Sequence, residues 1–307
     1  MNDFNNYNII KPKNITELYE IILTIVENLY EKHIPSSIKN RKNKHLSKMK
    51  DSEIITIKIL IMCLKMSEHK GYHFLKNNFP NLANYMDRTR FNRTVNKLMT
   101  IIRDIRKQIV ILSNPSSIRI IDSFPIPVCK FGRALFTKSF KGVASYGYCA
   151  SKKETYFGFK GHILVDMDGN PIDILITKAN IDDRDGLYEL EKKVEINTVL
   201  ADKGYIGEIE TYFKNRGKNL IALKRKNSRR KLAKEDYRVC SRMRRRVETT
   251  ISQLVEIFDM EKVRKTSLLG FMTDIEAKVL SFNILRFINY LTHSDNKSQI
   301  ASLIFGY

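Results

Sequence analysis

Ile118-Arg119-Ile120-Ile121-Asp122-Ser123 is the stretch on which the fold turns. It follows Asn114-Pro115, where hydrophobic spacing changes from helical to strand-like, and its β-branched residues read as a short strand closing on an acid. Pro125 and Pro127 forbid its continuation as a central strand, because proline has no N–H to give to a ladder. Strand-like and helix-like segments then alternate. Residues 156–166 and 172–177 read as strands joined at Asp168-Gly169-Asn170, a strong hairpin signal. Residues 185–193 read as a helix and 198–201 as a strand closing on Asp202. A helix over 206–216, a strand over 219–223 and a helix over 242–258 complete the order βββαβαβα, a mixed α/β sheet.

Asp122 and Asp202 therefore end strands in the same local setting. Side chains at the carboxyl ends of adjacent parallel strands converge where sites form in open α/β sheets. Two carboxylates at close range do not both stay ionised without a compensating cation, so the pair predicts a divalent metal site or a shared proton. Glu248 is the third candidate. Helical spacing places Arg244, Arg245 and Ser252 on its face, and Val247, Ile251, Leu254 and Phe258 on the buried one. Carboxylate oxygens, water and phosphate oxygens are the ligands Mg²⁺ takes in phosphoryl-transfer sites. The competing reading is an acid ion-paired among arginines.

Upstream the chain reads as all-helical. Asn14 and Glu17 form a capping-box pattern, followed by Ile15, Leu18, Tyr19, Ile22, Ile25, Val26 and Leu29 at helical spacing. A linker rich in Lys, Asn and Ser (39–50) leads to a more buried helix that starts near Asp51. Over residues 88–98 a third helix sets Phe91, Val95, Leu98 and Ile102 on one side and Arg90, Arg93, Asn96 and Lys97 on the other. Such a polar front suits a DNA groove or phosphate backbone, and equally a solvated face. The expected division is a helical DNA-binding region (1–112), a catalytic domain (113–295) and a tail (296–307). The helix over 275–291 is expected to close the core or to serve a dimer.

Charge narrows the partner. The 307 residues carry 54 Lys plus Arg against 33 Asp plus Glu, a net +21 that points to a polyanion. Residues 224–246 hold twelve Lys/Arg and two acids, a net +10 over 23 residues, and more positive charge lies between Lys130 and Lys153. With 43% hydrophobic residues the chain has material for a core, which excludes bulk disorder. The longest apolar run, residues 59–64, falls far short of the ~20 residues of a membrane span. No signal-peptide pattern opens the chain. The four cysteines lie at least 20 residues apart, so neither a zinc site nor a disulfide framework is implied, which suits a reducing cytoplasm. His69 and His73, the one i,i+4 histidine pair, read as surface or packing residues rather than metal ligands.

The ordered set Ile121-Asp122-Ser123, Tyr156-Phe157-Gly158-Phe159-Lys160-Gly161-His162, Ala179-Asn180-Ile181-Asp182-Asp183-Arg184, Ala201-Asp202-Lys203-Gly204-Tyr205 and Arg246-Val247-Glu248 resembles the DDE transposases of bacterial insertion sequences. Ser52-Glu53-Ile54 and Arg90-Phe91-Asn92-Arg93 extend the likeness loosely into the helical region. The resemblance implies a ribonuclease-H-like core in which Asp122, Asp202 and Glu248, 80 and 46 residues apart, hold two Mg²⁺ ions, with Mn²⁺ as a substitute. It implies cleavage and joining of phosphodiester bonds at the ends of the protein's own element. The partners implied are double-stranded DNA, as terminal inverted repeats and target, and a second copy of the chain on that DNA. It also implies a cytoplasmic, nucleoid-associated protein with no membrane partner.

Lys160 and His162 alternate onto one strand face, and Lys203 and Tyr205 share the loop of Asp202. With Arg244, Arg245, Arg90, Arg93 and Lys97 they are the expected DNA contacts. One departure matters: some relatives carry Tyr seven residues before the Glu and Lys seven after, where this chain has Ser241 and Val255. That subgroup's contacts do not carry over. The alternatives are a non-catalytic DNA-binding protein derived from a transposase, acting as a repressor or domesticated copy, and a ribonuclease-H-like nuclease that cleaves without strand transfer.

Overall fold

The computed structural model describes residues 10–223, 234–292 and 300–304. Helices α1 to α6 are Ile15–His33, Ser36–Lys39, Asp51–Cys63, Glu68–Asn78, Arg88–Lys97 and Met99–Leu112. Strands β1 to β4 (Ile118–Lys130, Ser145–Cys149, Glu154–Val165, Pro171–Lys178) follow, then α7 (Asp183–Glu191), β5 (Thr198–Ala201), α8 (Glu208–Asn215) and β6 (Asn219–Ala222). The chain closes with α9 (Lys234–Phe258) and α10 (Leu268–Leu291). Two compact units result: Met1–Ser113 with Ile257–Asp259 and Ser267–Tyr307, and Asn114–Glu256 with Met260–Thr266. No described helix is long and apolar enough to cross a membrane.

In the first unit α10 is buried along almost its whole length and packs on α3 and α6. The domain division read from sequence placed this helix in the catalytic domain; its backbone contacts place it with the N-terminal helices. Buried ion pairs anchor it. Lys58 of α3 bonds Asp274 at 2.6 Å and Glu68 at 3.0 Å, while Arg106 and Arg103 of α6 bond the two oxygens of Glu276 at 2.9 and 2.7 Å. Burial alone would lower the Lys58 pKa, but Asp274 and Glu68 outweigh it and raise it. Asn14 caps α1 by accepting the Glu17 N–H at 2.9 Å. The expected third helix breaks at Leu98 into α5 and α6, with Phe91, Val95, Leu98 and Ile102 buried. Arg90, Arg93 and Lys97 stand exposed on α5.

The second unit is built on one curled sheet of order β2-β3-β1-β5-β6, in which β4 also pairs with β3. Strand β3 is shared along one edge, by β2 at Glu154–Gly158 and by β4 beyond Phe159, while β1 takes its other edge. β1–β5 and β5–β6 are parallel and the remaining pairs antiparallel. This is the ribonuclease-H-like arrangement the sequence implied, with β2 as an added edge strand. Strand β1 also runs through Pro125 and Pro127, contrary to the expected stop at Ser123. Its pairing with β5 ends at Ile120, so beyond that point only β3 lies alongside and the proline nitrogens need no partner on the open side. Gly158 faces Pro127 across the ladder, where a Cβ would meet the Ile126 carbonyl oxygen at 2.4 Å. In the hairpin between β3 and β4, Asp166 Oδ1 accepts the N–H of Asp168 and of Asn170.

Candidate active site

The two aspartates are aligned by a ladder only three rungs long. Ile120 of β1 and Leu200 of β5 are register partners; Asp122 lies two residues beyond the first and Asp202 two beyond the second. Side chains alternate along a strand, so the equal offset from one rung carries both acids to the same place just past the ladder. Glu248 comes from α9, held to the unit by buried Val247 and Leu254 and by Thr250, whose hydroxyl donates to the Gly169 carbonyl at 2.7 Å.

Arg244 joins the acids. Its guanidinium lies 3.1 Å from Asp202 and also bonds Glu248, one helical turn on. Burial disfavours the Arg244 cation, but the charges of Asp202, Asp122 and Glu248 prevail and raise its pKa. Burial lifts the Asp122 carboxyl to about 6, and the neighbouring charges of Asp202 and Glu248 push the same way. The Ser123 N–H, donating to Asp122 Oδ1 at 2.8 Å, and Arg244 act in the opposite direction. Three carboxylates without sulfur or imidazole are a donor set of hard oxygens, which fits Mg²⁺ or Mn²⁺. Among the described residues, no three His, Cys, Asp or Glu side chains are gathered tightly enough to hold a metal ion as they stand. Asp202 and Glu248 spend their charge on Arg244 instead.

A packed polar cluster lies where β3, β4 and α7 meet. His162 is fully buried, with Nε2 2.9 Å from Thr177 Oγ1 and Nδ1 4.0 Å from Asp183 Oδ1. Burial pushes its pKa down to about 4, so the imidazole is neutral. Lys160 donates to the Ile181 carbonyl at 2.7 Å and to Asp183 at 3.0 Å. Tyr205 is buried, and its hydroxyl has no hydrogen-bond partner among the described residues. Burial, joined by the charges of Asp183, Asp122, Asp182 and Asp202, raises its pKa well above the usual phenol value. The expected DNA contacts at His162 and Tyr205 are therefore corrected: neither ring reaches solvent. Lys160 shares a strand face with His162 as expected, but its ammonium is taken up inside the protein.

Lys203 is half-buried and Arg245 exposed. The basic run 224–246 lies partly outside the described residues, as do most residues of the 296–307 tail. Sequence reasoning missed two parts of the site and misplaced a third, since the Asp–Arg capping role it gave Asp183 and Arg184 belongs to Asp182. Arg184 bonds Asp182, which caps α7, and this leaves Asp183 to serve Lys160 and His162. Arg244 was read as a DNA contact and not as a partner of Asp202. Gly186 was passed over, although a glycine inside a helix is a signal of close packing; a Cβ there would stand 2.3 Å from His162 Nδ1.

Comparison with known proteins gives one match and two blanks. No curated protein and no solved structure matches this sequence. Residues 112–268, half of the chain, match the family described as the transposase DDE domain. That span holds β1 to β6 and α9, with Asp122, Asp202 and Glu248 inside it. The chain belongs to the transposase DDE domain family.

Proposed function

We propose that this protein cleaves and joins DNA phosphodiester bonds at the ends of a mobile element of the insertion-sequence type, with Asp122, Asp202 and Glu248 as its metal-holding acids. The observation that carries this reading is the common offset of Asp122 and Asp202 from the Ile120–Leu200 rung, with Glu248 joined to Asp202 through Arg244. A divalent cation, when bound, lowers the pKa of a water or hydroxyl nucleophile and neutralises charge developing on phosphate oxygens.

The chain's own residues do the rest. Asp122 stands on a strand, Asp202 directly after one and Glu248 on a helix pinned by Thr250, so the three donors are placed by rigid elements. Arg244 supplies positive charge that three neighbouring acids need. Lys203, Arg245 and the α5 face of Arg90, Arg93 and Lys97 hold DNA backbone. A homodimer on DNA follows from the need to bring two element ends together.

The test is a cleavage and strand-transfer assay in Mg²⁺ on DNA carrying the repeats that flank the gene. Asp202→Asn is expected to abolish nicking and joining while leaving DNA affinity within about threefold. Nicking by purified Asp202→Asn at the wild-type rate would end the assignment. Cleavage without joining would favour a nuclease, and DNA binding with neither activity a repressor.

A further inference from the structure

The exposed apolar surface of this protein is concentrated. Among the described residues, twelve large hydrophobic side chains are exposed; six of them, including all four aromatic ones, fall within residues 131–148. Phe131 is 59% exposed, Phe136 84% and Tyr148 65%. Leaving such side chains in water costs free energy, and a patch of them marks a binding surface more often than an accident of packing.

Two features say what the surface fits. The first is its build. Tyr146 and Tyr148 alternate onto one face of β2, the edge strand. The Phe131 ring lies 5.5 Å from that of Tyr146, which in turn lies 5.4 Å from Phe157, and Phe157 is buried. A row of rings thus runs from Phe157 in the interior through Tyr146 to Phe131 at the surface. Phe140, in edge contact with Phe159 at 5.3 Å, holds the root of the loop. The second is charge. Between Lys130 and Lys153 there are six Lys/Arg and no acid. The cations nearest the rings, Lys130, Arg133, Lys138 and Lys141, are all exposed. Phe136 and Arg133 also border a cleft of about 430 Å³ that Arg264 and Lys265 close from the other side.

Flat rings within a cationic field, carried on a sheet, match a polyanion with flat faces of its own. We infer that the face bearing Phe131, Phe136, Tyr146 and Tyr148 binds single-stranded nucleic acid by stacking on unpaired bases. Duplex DNA offers no free base faces and would meet only the cations. The inference rests on the transposase reading in one respect: strand cleavage and joining leave unpaired bases beside the cut. It concerns a surface at the far end of β1, eight residues or roughly 26 Å of strand beyond Asp122.

The experiment uses the full chain and a single-stranded oligonucleotide carrying 2-aminopurine, with its duplex as control. Wild type is expected to change the 2-aminopurine fluorescence on binding. Phe136→Ala and Tyr148→Ala, both at exposed positions, are each expected to weaken single-strand binding about tenfold and to leave duplex binding within twofold. Equal single-strand affinity in wild type and both variants overturns the inference. So does a loss in the variants of binding to anionic lipid vesicles, or of dimer in sedimentation, with single-strand affinity unchanged; those outcomes assign the patch to a membrane or a second copy. Nicking by Mg²⁺-supplied Phe136→Ala separates the two readings, because the acids can work where the platform fails and the platform can bind where the acids fail.

Discussion

The guanidinium of Arg244 lies 3.1 Å from Asp202 Oδ1 and bonds Glu248 as well, so one arginine holds two of the three acids. This contact is half-exposed, and such pairs contribute about 0–1 kcal/mol. Its weight lies elsewhere: it neutralises a cluster of like charges. Arg244→Gln is expected to shift the metal-free Tm by no more than about 3 °C. The rise in Tm produced by Mg²⁺ or Mn²⁺, measured without DNA, is expected to be larger in the variant because the cation no longer competes with the side chain. An equal rise in both proteins would remove Arg244 from that role.

Gly186 brings α7 against His162 so closely that no side chain fits between them. Gly186→Ala places a methyl group 2.3 Å from Nδ1 and is expected to cost about 1–3 kcal/mol in urea unfolding. His162→Ala opens space at the same point, so the double variant should lose less than the two single losses added together. Additive losses would show that the helix does not rest on the imidazole.

Protonation of His162 is a source of acid sensitivity. Its pKa falls from an ordinary value near 6.5 to about 4 on folding, so the unfolded chain binds the proton more readily. This contribution to stability is complete above about pH 6.5. It is lost as pH falls towards about 4, at up to about 1.4 kcal/mol per pH unit. Urea titrations of His162→Gln across that range should show a flatter pH dependence than wild type; matching slopes would contradict it.

In the helical unit Lys58 is wholly buried between Asp274 and Glu68. Lys58→Met removes the cation and leaves two carboxylates facing each other in the interior. A loss of about 3–5 kcal/mol is expected in chemical denaturation. A loss under 1 kcal/mol would mean that water reaches the pair.

The exposed face of α5 predicts a salt-dependent share of DNA affinity. Arg90→Ala with Arg93→Ala should lower the slope of log affinity against log salt by about two, one per phosphate contact. Unchanged slopes would return this face to solvent.

Much of the site was legible in the chain. Two acids closing short β-branched runs, and a glutamate opposite a Val247–Leu254–Phe258 stripe, mark Asp122, Asp202 and Glu248 as candidates. The hairpin at 168–170 was equally plain. Alternation also showed that Lys160 and His162 share a face, but period two does not say which face is inward; the packing of α7 settles that. Strand β1 outruns its expected end because the tolerance of Pro125 depends on where β5 stops, a non-local fact. Strand β2 hides in Ser145-Tyr146-Gly147-Tyr148-Cys149, whose large residues point to solvent. Helix α10 carries apolar residues around its whole circumference, with charges only between them, which says that it is buried and not against what.

The three-rung ladder between β1 and β5 also divides the chain by tolerance to length change. One residue inserted between Ile120 and Asp122 would turn the carboxylate to the opposite side of the sheet, and one between Leu200 and Asp202 would do the same to its neighbour. No compensating shift is open to either strand, because the buried Ile120 and Leu200 of the last rung would turn to the other face with it. The segment from Phe131 to Ala144 has no such tie to the acids, so there evolution is free to lengthen, shorten or replace sequence without moving the chemistry.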